Sequence, residues 1–412
     1  MKALAPIKQE KILYILMAGF FLTLYMGPVL NNIFIGALFL YSFWIGSTGA
    51  LKERKDLWLV IAFYLWNVVS CLLSGNLAEG LSTVQLRLPL LVFPLSVGSW
   101  RLKEAVRDRI LLCYAVVHTL ASLACLAGAL VQCRVHGGDT QFLYDDSLSD
   151  LAHIQSVYFA LMTEIAVFIY IYLLVKQSPL VTGKAALWVY AGIIFLLIFH
   201  FMLASRIGLI LMYSGVLAFA GWYFFVRTRK WQQGLGLIVL LLVCLGAFMH
   251  FFPKTINRFH ELEYTDYQYD SHGVESHYNM KVTPDQWNGA NIRLAIWKCA
   301  WAVAGRHPWS GVPLGDRRDT LVQQYRDVHF DFAAKSRRNT HNTYLDVLIT
   351  FGIPGLLLFV AGFGVLPLVR LWGRKEYLGM AVVLVFLVSM VSETYIDRSM
   401  GCVLLGVFLS VF

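Results

Sequence analysis

Apolar stretches of about 20 residues, the length an α-helix needs to cross a bilayer, recur along most of this 412-residue chain. A soluble core cannot account for them, because a helix at a soluble surface keeps one face polar. Hydrophobic residues make up 58% of the chain and charged ones 14%, against about 45–50% and about 25% in an ordinary soluble domain. The chain reads as an all-α polytopic membrane protein. Hydropathy predicts about twelve spans, near residues 12–29, 32–51, 57–74, 86–100, 109–132, 155–175, 185–204, 207–226, 234–252, 343–371, 377–393 and 399–412. The basic N-terminus meets no small-residue cleavage site after Ile12–Leu24, so the first span is expected to stay in place.

Charge gives the orientation. The net charge is +9, but most Lys and Arg sit in short clusters between spans: Lys52, Arg54 and Lys55; Arg101, Lys103, Arg107 and Arg109; Lys176 and Lys184; Arg227, Arg229 and Lys230; Arg370, Arg374 and Lys375. This pattern sets topology and argues against nucleic acid as a partner. It predicts these clusters and both termini on the cytoplasmic side. The alternate short loops hold only isolated arginines, Arg87, Arg134, Arg206 and Arg398, which then face the other side. Each is either a headgroup-snorkelling residue or part of a site. Seven irregularly spaced cysteines, nearly all within apolar spans, indicate neither a disulfide framework nor a zinc site.

The expected organisation is spans 1–9 over residues 1–252, a large outer loop over 253–342, and spans 10–12 over 343–412. Within the loop, Ile292, Ile296, Cys299 and Val303 fall on one helical face, with Gly305 and Pro308 ending that helix. A second short helix is expected around 317–329.

Chemistry concentrates near that loop. Thr340 is a candidate N-cap for the tenth span, which would put His341 in the first helical turn, where the dipole favours a neutral imidazole. Two readings stand: a general base, or a capping or headgroup-facing histidine. Arg206 lies in the tight turn Ala204–Gly208, and Arg293 shares a helix with Trp297 and Trp301. Guanidinium groups bind phosphate oxygens bidentately and stay charged. His118, His200, His250 and Glu164 are read as structural, and Asp139, Asp145, Asp146, Glu393 and Asp397 as solvated, with the lining of an outer cavity as the alternative. His260, His272 and His277 are too irregularly spaced for a metal site. No Walker loop, G-x-S-x-G elbow or H-E-x-x-H motif is present.

Three segments together resemble the O-antigen ligase and polymerase superfamily. They are His341-Asn342 followed after nine residues by Gly352-Ile353-Pro354-Gly355; Ser205-Arg206; and Arg293 on a Trp-rich helix followed by His307-Pro308-Trp309-Ser310-Gly311. The sequence departs from the family at Val312-Pro313-Leu314-Gly315, where many members have a tighter glycine pair. The resemblance implies a GT-C-like, metal-independent, inverting glycosyltransferase of the bacterial inner membrane, without a cofactor. It would move O-antigen from undecaprenyl pyrophosphate to a sugar hydroxyl of lipid A–core at the periplasmic face. It implies His341 as general base, Arg206, Arg293 and Arg87 as pyrophosphate contacts, and Asn342, Ser205 and Tyr344 in support. The alternatives are an O-antigen polymerase, which uses a second lipid-linked glycan as acceptor, and, in a different class, a flippase or transporter for lipid-linked glycans.

Overall fold

Each apolar stretch folds as a helix, as the bilayer requires when backbone polar groups find no water. The computed structural model describes residues 6–45, 49–270, 275 and 286–412, and among them the chain is almost wholly helical. His272 and His277 lie outside the described residues. The longer helices are α1 (Pro6–Thr23), α2 (Pro28–Ile45), α3 (Lys55–Leu72), α4 (Leu77–Arg87), α5 (Pro89–Leu95), α6 (Glu104–Val135), α7 (Ser156–Val175), α8 (Lys184–Met202), α9 (Arg206–Gly221) and α10 (Trp231–Phe251). They continue as α11 (Asn291–Arg306), α12 (Arg317–Asp327), α13 (Thr343–Val360), α14 (Tyr377–Ser389) and α15 (Ser399–Val411).

Among the described residues eight helical stretches are long and apolar enough to span a membrane, and Pro28–Trp44, Tyr377–Ser389 and Ser399–Val411 are shorter apolar helices. Large apolar side chains such as Phe43, Trp44, Trp188 and Leu357 are exposed along them, as lipid contact demands. The protein is a polytopic helical membrane protein.

The chain divides into two compact units. One comprises Met1–Cys113, Thr265–Glu275 and Thr283–Phe412; the other Tyr114–Tyr264 and Ser276–Val282.

In the first unit, the basic clusters meet at one end. Arg54 Nη2 lies 3.0 Å from Asp56 Oδ2 and Arg370 Nε 3.2 Å from the same atom. Those guanidinium groups also donate to the carbonyls of Leu409 and Phe412. Arg107 pairs with Glu376 at 2.8 Å. The helix-291 core forms as its periodicity predicts: Ile292, Ile296, Cys299 and Val303 are buried in one cluster with Leu321, Tyr325 and Phe330.

The two halves of the glycine-containing motif pack on each other. Gly352 breaks the helical geometry of α13 with φ 64° and ψ −167°, a region essentially closed to side chains. Its amide neighbour Ile353 donates to the Pro308 carbonyl at 2.8 Å, and Val312 donates to Ile349 at 2.8 Å. A Cβ at Gly352 would sit 2.5 Å from the Trp309 carbonyl oxygen, and one at Gly311 would sit 2.4 Å from that of Thr350. The spacing of these glycines thus reflects backbone laid on backbone. Gly352→Ala is expected to destabilise the protein by about 1–3 kcal/mol from strain alone, read as a lowered unfolding midpoint in detergent. An unchanged midpoint would contradict that packing.

The divergent turn Val312–Gly315 also docks on backbone. Leu314 and Gly315 donate to the Ser70 and Ser74 hydroxyls at 3.0 and 2.8 Å, and the Asp316 carboxylate accepts from the amides of Gly75 and Asn76. That fastens the start of α12 to the junction of α3 and α4.

Candidate functional site

His341 is placed by a cap, but a different one from that expected. Asn342 is the N-cap of α13, its side chain accepting from Leu345 N at 3.0 Å. Thr340 instead donates to the Asn342 carbonyl. His341 therefore precedes the helix rather than occupying its first turn, in a left-handed conformation with φ 44°. Non-glycine residues adopt this conformation sparingly. The Asn339 side chain accepts from the His341 amide, and Trp297 Nε1 donates to the Thr340 carbonyl at 3.0 Å. The imidazole is 22% exposed, so it is open to solvent.

Its partner is Glu393. His341 Nδ1 lies 3.2 Å from Glu393 Oε2. The loop that carries Glu393 is knitted to the start of α13: Thr343 Oγ1 donates to the Glu393 carbonyl and accepts from Tyr395 N, while Thr343 N donates to Met390. Burial alone would raise the Glu393 pKa. The hydrogen bond and charge of His341, the Arg293 charge and the Thr394 amide outweigh it and hold the carboxyl below its ordinary 4.5. A carboxylate accepts only, so Nδ1 carries the proton toward Glu393; in a neutral ring that leaves Nε2 as the acceptor. The reading of Glu393 as solvated is overturned: it is buried and paired.

Because Glu393 is depressed in the folded state, its stabilising contribution is present above the unfolded value and is lost as pH falls through the folded one. Unfolding midpoints of wild type and Glu393→Gln should therefore differ at about pH 7 and converge as the pH falls below the ordinary 4.5. A gap that stays constant with pH would contradict the pairing.

Arg293 stands beside this pair. Its Nε donates to the Ser392 carbonyl at 3.2 Å and Nη1 to Gly289 at 2.6 Å. Tyr344 donates to the Leu387 carbonyl at 2.6 Å, clamping the first turn of α13 to α14.

Arg87 has a different setting from the phosphate contact expected of it. It is fully buried, and its guanidinium donates to Ile396 O, Asn67 Oδ1, Asp346 Oδ2 and Asp397 Oδ1 at 3.1, 2.6, 3.2 and 3.3 Å. Arg317 bridges the same two carboxylates. Two arginines and two aspartates thus form a closed, charge-balanced square. Asp397, also read as solvated, is held below the usual carboxylate range by Arg317 and Arg87 against the opposing effect of burial. The square joins α4, α12, α13 and the Glu393 loop, so it supports the His341–Glu393 pair from behind.

In the second unit, Ser205 is the N-cap of α9 and Arg206 its first residue, after Ala204 in a left-handed conformation. A cation at a helix N-terminus opposes the dipole, and an anion offsets this: Arg206 Nη1 lies 3.1 Å from Glu261 Oε2. Beneath the turn, His200 Nε2 lies 3.3 Å from Glu164 Oε1, and His118 Nε2 lies 2.8 Å from Thr163 Oγ1. A Cβ at Gly208 would fall 2.9 Å from Glu164 Oε1, 3.1 Å from Ser205 Oγ and 3.2 Å from His200 Nε2. Separate in sequence, these intramembrane groups converge under the Arg206 turn. Asp145 and Asp146 accept from Ser156 Oγ and N at the start of α7. Among the described residues no group of three or more His, Cys, Asp or Glu is arranged to hold a metal ion.

The helices define a multi-pass membrane protein with a histidine–carboxylate pair and several arginines at span ends. Residues 191–360 match the model of a family described as O-antigen ligase, and that stretch contains Ser205, Arg206, Arg293, His341 and both motif glycines. That stretch of the chain is thus similar to the O-antigen ligase domain. No curated protein matches the chain.

Proposed function

We propose that this protein transfers O-antigen polysaccharide from undecaprenyl pyrophosphate to a sugar hydroxyl of lipid A–core, at the periplasmic face of the bacterial inner membrane. The observation that carries the reading is the His341–Glu393 pair within reach of solvent and beside Arg293. In this reading His341 Nε2 takes the proton of the acceptor hydroxyl, and Glu393 holds the ring and stabilises the imidazolium that forms. The freed oxygen attacks the anomeric carbon and forms the new glycosidic bond. The bond from that carbon to the pyrophosphate oxygen breaks on the opposite face, so the configuration inverts. The leaving pyrophosphate carries the electron pair away. Its charge is met by the Arg293 guanidinium beside the pair, and Arg206 is added as a second phosphate contact on the family resemblance alone. The donor is already activated, so the step needs no nucleotide. Fixed guanidinium groups serve in place of a divalent cation.

The basic clusters gathered at one end of the first unit, away from His341 in sequence and on the alternate loops, support the orientation with cytoplasmic termini. Arg87 is left out of the donor contacts, because its guanidinium is buried among its four partners.

Substitution tests the donor role. Arg206→Lys keeps the charge but loses the planar fork. It is expected to lower transfer roughly tenfold or more, as for one lost hydrogen bond to a charged group, about 1.5 kcal/mol. Near-normal turnover in Arg206→Lys would remove the bidentate phosphate contact from the account.

A further inference from the structure

We propose that the segment 286–342 holds a second binding site, for an anionic sugar, in the cavity along helix α12. The cavity has a volume of about 440 Å³ and only one apolar lining residue, Val322. The helix turns two unlike faces. Arg317, Leu321 and Tyr325 are buried, the first in the charged square and the others in the core, whereas Asp319, Gln323, Arg326 and Asp327 line the cavity with Arg306 and Arg337.

The mixture of groups selects the ligand. Three guanidinium groups would be wasted on a neutral sugar. A bare anion would meet the carboxylates of Asp319 and Asp327, which already hold Arg337 and Gln323 and keep lone pairs only for further donors such as hydroxyls. A ligand that offers both hydroxyls and a phosphate or carboxylate satisfies the two sets together. Planar carboxylate, amide and guanidinium groups each bind paired oxygens with two hydrogen bonds. Several of these groups are already aligned by one another: Arg337 pairs with Asp319, Gln323 Nε2 donates to Asp327 Oδ1 at 2.9 Å, and Arg306 donates to Gln324. The Arg326 side chain has no partner among the described residues, so its fork is available to the anionic group.

The site extends the transfer reading by giving a charged part of the acceptor glycan a place on the helix that also carries Arg317. The binding itself does not depend on that reading. Saturation-transfer NMR on the full-length protein in nanodiscs tests it, with glucose 6-phosphate as probe and glucose, glycerol 3-phosphate and inorganic phosphate as comparisons. Glucose 6-phosphate should give the strongest transfer, and Arg326→Ala and Gln323→Ala, both at exposed positions, should each weaken it about tenfold. Equal signals from inorganic phosphate would show an anion patch, and equal signals from glycerol 3-phosphate a headgroup site. Either result, or variants that bind as wild type does, overturns the proposal. Wild type that transfers glycan yet binds no sugar phosphate would overturn this site and leave the transfer reading standing; binding without transfer would do the reverse.

Discussion

Replacing His341 by alanine is expected to lower glycan transfer by about 10²- to 10⁴-fold, the range a positioned general base supplies. The fold should survive. Asn342, not His341, caps α13, and the imidazole is partly exposed rather than packed in a core. The substitution therefore removes the proposed proton acceptor while leaving the helix start, the Trp297 clamp on Thr340 and the Glu393 loop in place. Relief of the left-handed φ is small beside the lost chemistry. The check is the initial rate for purified wild type and His341→Ala at matched amounts of folded protein. A variant within about threefold of wild type, less than 1 kcal/mol of barrier, would mean that His341 is structural.

Arg87→Met is expected to cost about 3–5 kcal/mol of folding stability, the range for breaking a buried ion pair from one side. Arg87 is fully buried, and its removal leaves Asp346 and Asp397 sharing Arg317 alone. A second substitution, Asp397→Asn in the Arg87→Met background, should restore part of the loss by removing the excess negative charge. Unfolding free energies in mixed micelles read both changes. A loss no greater than the about 1 kcal/mol of an exposed pair would show that the square is solvated and does not brace the site. This prediction also separates the present account from the sequence expectation. A phosphate ligand would lose affinity in Arg87→Met without a large loss of fold.

The helices were legible because the bilayer forces backbone bonds to close within each segment, and a run such as Trp231–Phe251 can do little else. The motif residues were legible too, although their reason was not. Gly352 and Gly311 are needed because two backbones meet there, which no linear spacing states. The cap was misassigned by two residues because Thr340, Asn342 and Thr343 all have cap-forming side chains, and only the backbone geometry chooses among them. Glu393 and Asp397 were read as solvated because nothing near them in the chain marks a partner; His341 is 52 residues from Glu393 and Arg87 is 310 from Asp397. Glu164 and His200 converge beneath the Arg206 turn for the same reason, by helix packing that the sequence does not register.

The most direct test supplies purified protein with undecaprenyl-pyrophosphate-linked glycan as donor and lipid A–core as acceptor, and asks which product forms. The account predicts a core-linked polysaccharide from wild type and none from His341→Ala. Longer lipid-linked chains with no core-linked product would make the protein a polymerase, and no transfer to either acceptor would contradict the account.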